Sequence, residues 1–152
     1  MECYEGATMI KTYKGILADG GQDHIRIKTN KGDVGYKIHK FQIIGKEPGQ
    51  QDQEHTVKIY KTKQSTIDNA IDFSDGDLLG TAYIAEDAGQ AYPLYTIIIF
   101  DQEIFNQDIF ITHQDTTGAQ PCNYYLELEQ VMLNDNESAM ATLQSLRRVA
   151  ER

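Results

Sequence analysis

From Thr8 to Leu133 the chain reads as short runs in which apolar and polar residues alternate, each closed by a cluster of Gly, Asn, Asp or Pro. A period of two means that successive side chains point to opposite faces, so each run describes a strand with one face in a core. In "HTVKIYKTK", Val57, Ile59 and Lys61 share one face while Lys58, Tyr60 and Thr62 take the other. Candidate strands are Thr8–Leu17, His24–Thr29, Gly35–Gly45, His55–Gln64, Ala70–Phe73, Leu78–Glu86, Leu94–Phe100, Asp108–Gln114 and Asn123–Leu133. The separators "ADGGQD", "TNKGD" and "KEPGQQDQ" hold the residues that supply positive φ angles or turns closed by their own side chains. The run "TIIIF" is apolar at both parities, so its strand is expected to be covered on both sides.

Helical spacing begins only at "NDNESAMATLQSLRRVAER". Asn134 and Glu137 form a capping-box variant, Met140, Leu143, Leu146 and Val149 or Ala150 make one apolar stripe, and three arginines lie near the negative end of the helix dipole. These elements predict an all-β fold, an antiparallel β-sandwich in the form of a jelly roll of about eight strands, with a short C-terminal helix. Residues 1–8 read as an N-terminal arm, 9–133 as the sandwich and 134–152 as an amphipathic helix of the same domain. At 152 residues the chain is long enough to bury roughly 70% of its unfolded surface around one core.

Charge is distributed unevenly. The net charge is −9, yet eleven of the fourteen Lys and Arg lie between Lys11 and Lys63, and no basic residue occurs from Gln64 to Leu146, a stretch with fourteen acidic residues. Such a surface repels nucleic acid and anionic membrane, so neither is an expected partner. The acidic part faces either a basic neighbour or a screening salt medium. The acidic start is unlike a secretory leader, and the apolar run ending at Phe100 is too short to span a bilayer. Cys3 and Cys122 read as free thiols, since neither belongs to a CxxC pair or a ligand-spaced histidine motif.

The densest collection of chemistry is "DQEIFNQDIFITHQD", Asp101 to Asp115. Asp101 and Glu103, two apart on a strand, are the candidate ligands for a hard cation; the competing reading is a turn, where Asp and Asn are favoured for backbone reasons. His113 shares the parity of Ile109 and Ile111 and reads as a strand-end histidine with a hydrogen-bond partner. "DFSDGDLLG" fails as a calcium loop, because Gly76 falls where an oxygen ligand is required. No nucleophile elbow, phosphate loop or zinc spacing occurs, and His24, His39, His55 and His113 stand singly in sequence, so neither an enzyme nor a cofactor is expected. Nine tyrosines leave carbohydrate stacking open; the absence of Trp weakens it.

The segments "MIKTYKG" at Met9, "GYKIHKFQIIGKEPG", "EHTVKIYK", "FDQEIFNQDIFITH" and "CNYYLELEQVML" with a trailing helix resemble a group of small virion-associated proteins of marine bacteriophages. The resemblance covers nearly all of the chain after residue 8. It implies a capsid decoration, cement or accessory shell protein in the virion, bound to the major capsid protein or another virion component, and assembled as a cyclic homo-oligomer, trimers first. Lys58, Lys61 and Lys63, with Arg147 and Arg148, are the expected interface cations. The alternative is a carbohydrate-binding or receptor-binding β-sandwich module of a phage.

Overall fold

The computed structural model describes residues 9–27, 33–89, 95–133 and 140–143. Eight strands are described: β1 (Ile10–Leu17), β2 (Gln22–Ile25), β3 (Val34–Gly45), β4 (Gln53–Tyr60), β5 (Leu78–Glu86), β6 (Tyr95–Phe100), β7 (Ile109–Asp115) and β8 (Cys122–Met132). They form two antiparallel sheets, one ordered β1-β8-β3 and the other β2-β7-β4-β5-β6. A jelly roll is a long hairpin whose strands pair 1:8, 2:7, 3:6 and 4:5 before the hairpin is rolled up. Here β1:β8, β2:β7 and β4:β5 pair in that way. The 3:6 rung is reduced to one bridge, in which Tyr36 and Phe105 exchange both backbone hydrogen bonds at 2.7 and 2.8 Å. Strand β6 stays with its hairpin partner β5, and only the segment after it crosses to β3.

The inward residues follow the alternation. Phe41 and Ile43 of β3 and Leu126 and Leu128 of β8 meet Val57 and Ile59 of β4, Ala82 and Ile84 of β5, and Ile109 and Ile111 of β7. Each such large aliphatic side chain removed from water stabilises the fold by roughly 1.5–3 kcal/mol. In β3 the inward parity changes from Tyr36 and Ile38 to Phe41 and Ile43, because the register against β8 slips between Ile38 and Lys40. This bulge keeps both halves of a twelve-residue strand facing the core.

Three expectations are corrected. Ala70–Phe73 is not a strand: Asp72 Oδ1 accepts from the backbone N–H and hydroxyl of Ser74, and turn chemistry prevails over the apolar alternation. Strand β6 is an edge strand of the five-stranded sheet rather than a strand covered on both faces, and its Ile99 is 48% exposed. Residues 140–143 are helical as expected, but Met140 and Leu143 of the predicted apolar stripe face solvent. Ala141 is the buried residue there, and Asn106 Nδ2 donates to Thr142 Oγ1 at 2.9 Å, tying this turn to the chain's own sandwich. The arm at residues 1–8 and the rest of the helix lie outside the described residues.

Candidate functional site

At one end of the sandwich β1 and β3 finish, β8 begins, and the start of β4 lies beside the end of β7. Inward positions at this end carry polar residues instead of aliphatic ones. His55 continues the inward parity of Val57 and Ile59, His113 that of Ile109 and Ile111, and Cys122 that of Tyr124, Leu126 and Leu128. In the β4:β7 register His55 faces Asp115 while His113 faces Val57, so the two imidazoles meet diagonally. All three side chains are fully buried.

The geometry is close and specific. His55 Nδ1 lies 2.8 Å from His113 Nε2. The outer nitrogens are both engaged: His55 Nε2 with Gln53 Oε1 at 2.6 Å, and His113 Nδ1 with the Ala18 carbonyl at 3.0 Å. Gln53 is oriented by its own amide, which donates to the carbonyls of Glu47 and Gln51. Cys122 Sγ completes the group, one ligand atom from each residue lying within 4.8 Å of the others. Burial, then the neighbouring His113, pushes His55 down to about 4, and burial pushes the Cys122 thiol up to about 12. Beside them Asp115 stays below the usual carboxylate range: burial would raise it, but the N–H groups of Glu54, Gln120, Thr117 and Gly118 hold it ionised. Gly45 lets the backbone pass close over Gln53, since a Cβ at Gly45 would lie 2.5 Å from Gln53 Oε1 and 3.1 Å from His55 Nε2.

The residues singled out by sequence lie elsewhere. Asp101 Oδ1 accepts the Glu103 N–H, while Glu103 Oε1 takes the Lys61 ammonium at 2.5 Å, so the pair makes a turn and an ion pair instead of converging on a cation. His113 is the buried strand-end histidine expected, and its partners are Ala18 and His55. Lys58 and Lys61 are only 2% and 7% exposed. Lys58 Nζ binds Asp68 Oδ1 at 3.0 Å and the Ala70 carbonyl at 2.6 Å, so both lysines are spent within the chain and offer no charge to a neighbour. Lys63 is exposed, and Arg147 and Arg148 lie outside the described residues. Sequence reasoning passed over His55 and Cys122, although both stand on the inward parity of their strands.

A second feature lies on the outer face of the three-stranded sheet. Across it, Ile16, Asn123 and Ile44 form one cross-strand row, and Lys14, Tyr125 and Gln42 form the next. These six line a shallow trough of about 700 Å³ in which Ile16 is 48% and Ile44 52% exposed. Further along the same face charges pair: Lys37 with Glu129 at 3.3 Å, while Lys40 lies over the Tyr125 ring at 5.9 Å. Comparison with protein-family models, with curated proteins and with solved structures found no match.

Proposed function

We propose that the chain is a non-catalytic jelly-roll module that works through protein contacts, as a decoration, cement or accessory shell protein of a phage virion. The observation that supports this reading is the apolar trough on the outer face of the three-stranded sheet. Two isoleucines, each about half exposed and separated by one strand, lose free energy to water unless a partner covers them. On the opposite outer face, that of the five-stranded sheet, the chain itself roofs the centre through Lys58, Asp68 and Ala70, leaving Tyr95 and Ile99 about half exposed at the β6 edge. The sequence resemblance supplies the setting, and repeated weak contacts of this kind give firm attachment to a symmetric lattice, either directly or as a homo-oligomer.

A second reading, glycan binding for host attachment, is favoured by the Tyr125 ring lying in the same trough between Lys14 and Gln42. An aromatic face edged by an amide and an ammonium suits a sugar. One experiment separates the two. Quantitative protein analysis of purified particles, made with wild type and with the Ile16→Lys/Ile44→Lys double variant, should show wild type at high copy number and the folded variant lost from the particle. Absence of the wild-type chain from particles overturns the shell reading. Glycan-array binding that disappears with Tyr125→Ala establishes the second.

A further inference from the structure

We propose that His55 Nδ1, His113 Nε2 and Cys122 Sγ form a binding site for a d10 transition-metal ion, zinc(II) or copper(I). The argument starts from where the protons must be. The Ala18 carbonyl can only accept, so His113 Nδ1 carries the proton and His113 Nε2 presents a lone pair. Gln53 Nε2 donates to two carbonyls, which turns its oxygen toward His55; His55 Nε2 therefore carries the proton, and His55 Nδ1 presents a lone pair as well. With both outer N–H groups donated, the two inner nitrogens aim at each other across 2.8 Å, inside the core. Something positive belongs between them.

A proton is the first candidate, but it would place an imidazolium charge inside the core, where the rings' outer partners are the neutral Gln53 and Ala18 oxygens. Reversing the Gln53 amide would let His55 Nδ1 donate, at the cost of facing the amide oxygen toward the carbonyls of Glu47 and Gln51. A metal ion resolves the conflict without either cost. Each histidine already has the outer arrangement of a ligand, its far N–H donated to a carbonyl oxygen that fixes tautomer and ring orientation. Among the described residues the Cys122 thiol makes only weak contacts, 3.7 Å to the Ile44 carbonyl and 3.5 Å to that of Asn123, so little is lost when it turns to an ion. Two imidazoles and a thiolate are the donor set of zinc and of copper(I), and exclude calcium and magnesium. The ionised Asp115 carboxylate adjoining the site offsets the added positive charge.

Binding requires small movements. Two nitrogens at about 2.0–2.1 Å from a tetrahedral or trigonal ion are about 3.3–3.6 Å apart, so the rings part by half an ångström or slightly more. The thiol proton is released to solvent as the metal–sulfur bond forms.

The test uses the full chain carrying Cys3→Ala, so that Cys122 is the only thiol. Metal-free protein is titrated with Zn²⁺, with Cu⁺ under reducing conditions, and with Co²⁺ as a spectroscopic probe. The expected result is one equivalent bound, a proton released, a melting temperature raised by several degrees, and a thiolate-to-cobalt charge-transfer band that is missing when Cys122→Ser is added. Because that variant places a hydroxyl in the core, imidazole ¹⁵N spectra of the Cys122-containing protein give an independent reading: His55 Nδ1 and His113 Nε2 should shift on addition of Zn²⁺ or Cu⁺. The Zn²⁺ and Cu⁺ arms together decide which ion is preferred. No binding by either ion, or ¹⁵N resonances that report one shared proton unaffected by metal, overturns the proposal.

Discussion

Lys58 Nζ lies 3.0 Å from Asp68 Oδ1, and the two ends of this ion pair live in different media: the lysine side chain is 2% exposed and the aspartate 53%. The pair fastens the segment after β4 back over the outer face of β4, where Lys58 is flanked in register by Thr112 of β7 and Thr81 of β5. The difference in burial makes the pair asymmetric. Without its partner Asp68 can turn to water, whereas Lys58 cannot.

Asp68→Asn should therefore destabilise more than Lys58→Met. The first removes the countercharge and leaves a buried ammonium with neutral oxygens alone as acceptors, the Ala70 carbonyl among them, and the loss should be about 1–3 kcal/mol. The second replaces the charge by an apolar chain of similar length and should cost less than half as much. Urea unfolding of both variants at neutral pH checks the order, and the reverse order would show that Lys58 acts mainly by packing.

The same pair sets a pH dependence. Hydrogen bonding to Lys58, ahead of other effects, holds the Asp68 carboxyl below its ordinary value of 3.8. A depressed folded-state value stabilises above the unfolded value and is lost as pH falls through the folded one. The wild-type advantage over Asp68→Asn should thus be full at pH 6 and shrink below about pH 4. Denaturation curves of both proteins from pH 7 to pH 2.5 measure this, and parallel loss in the two would exclude Asp68 as its source.

Gly45→Ala should destabilise by about 1–3 kcal/mol, the range for overpacking a filled site. The added methyl enters the space held by Gln53 Oε1 and His55 Nε2, both fixed by hydrogen bonds inside the sandwich. Its φ lies outside the left-handed region, so the cost is steric and Gly45→Ala combined with Gln53→Ala should recover part of it. Thermal melts of the single and double variants decide the point.

Strand β6 presents an unpaired edge among the described residues, with Tyr95 56% and Ile99 48% exposed. Such an edge invites strand addition by another chain. Ile99→Lys should change stability by no more than about 0.5 kcal/mol and lower concentration-dependent self-association. Light scattering at rising protein concentration reads the effect directly.

Much of this protein is written in its alternation. Eight of the nine candidate strands match observed ones within about two residues at the start, because an antiparallel sheet with one dry face leaves a period of two in the sequence. Even the bulge in β3 is visible there, as the change of parity from Tyr36 and Ile38 to Phe41 and Ile43. The turn at Asp101 was legible for the same local reason, as its carboxylate caps the N–H two residues on. Partner choice was not legible. Alternation says that a residue faces inward but not which residue from the other sheet it meets, so His55, His113 and Cys122 read as three isolated positions. Nor does it say what roofs an outer face, and Lys58 and Lys61 read as surface cations until the chain folded back to pair them with Asp68 and Glu103. Sequence determined the strands and their faces through local sterics and water; the rolling of the long hairpin decided which distant residues share a dielectric and a hydrogen bond.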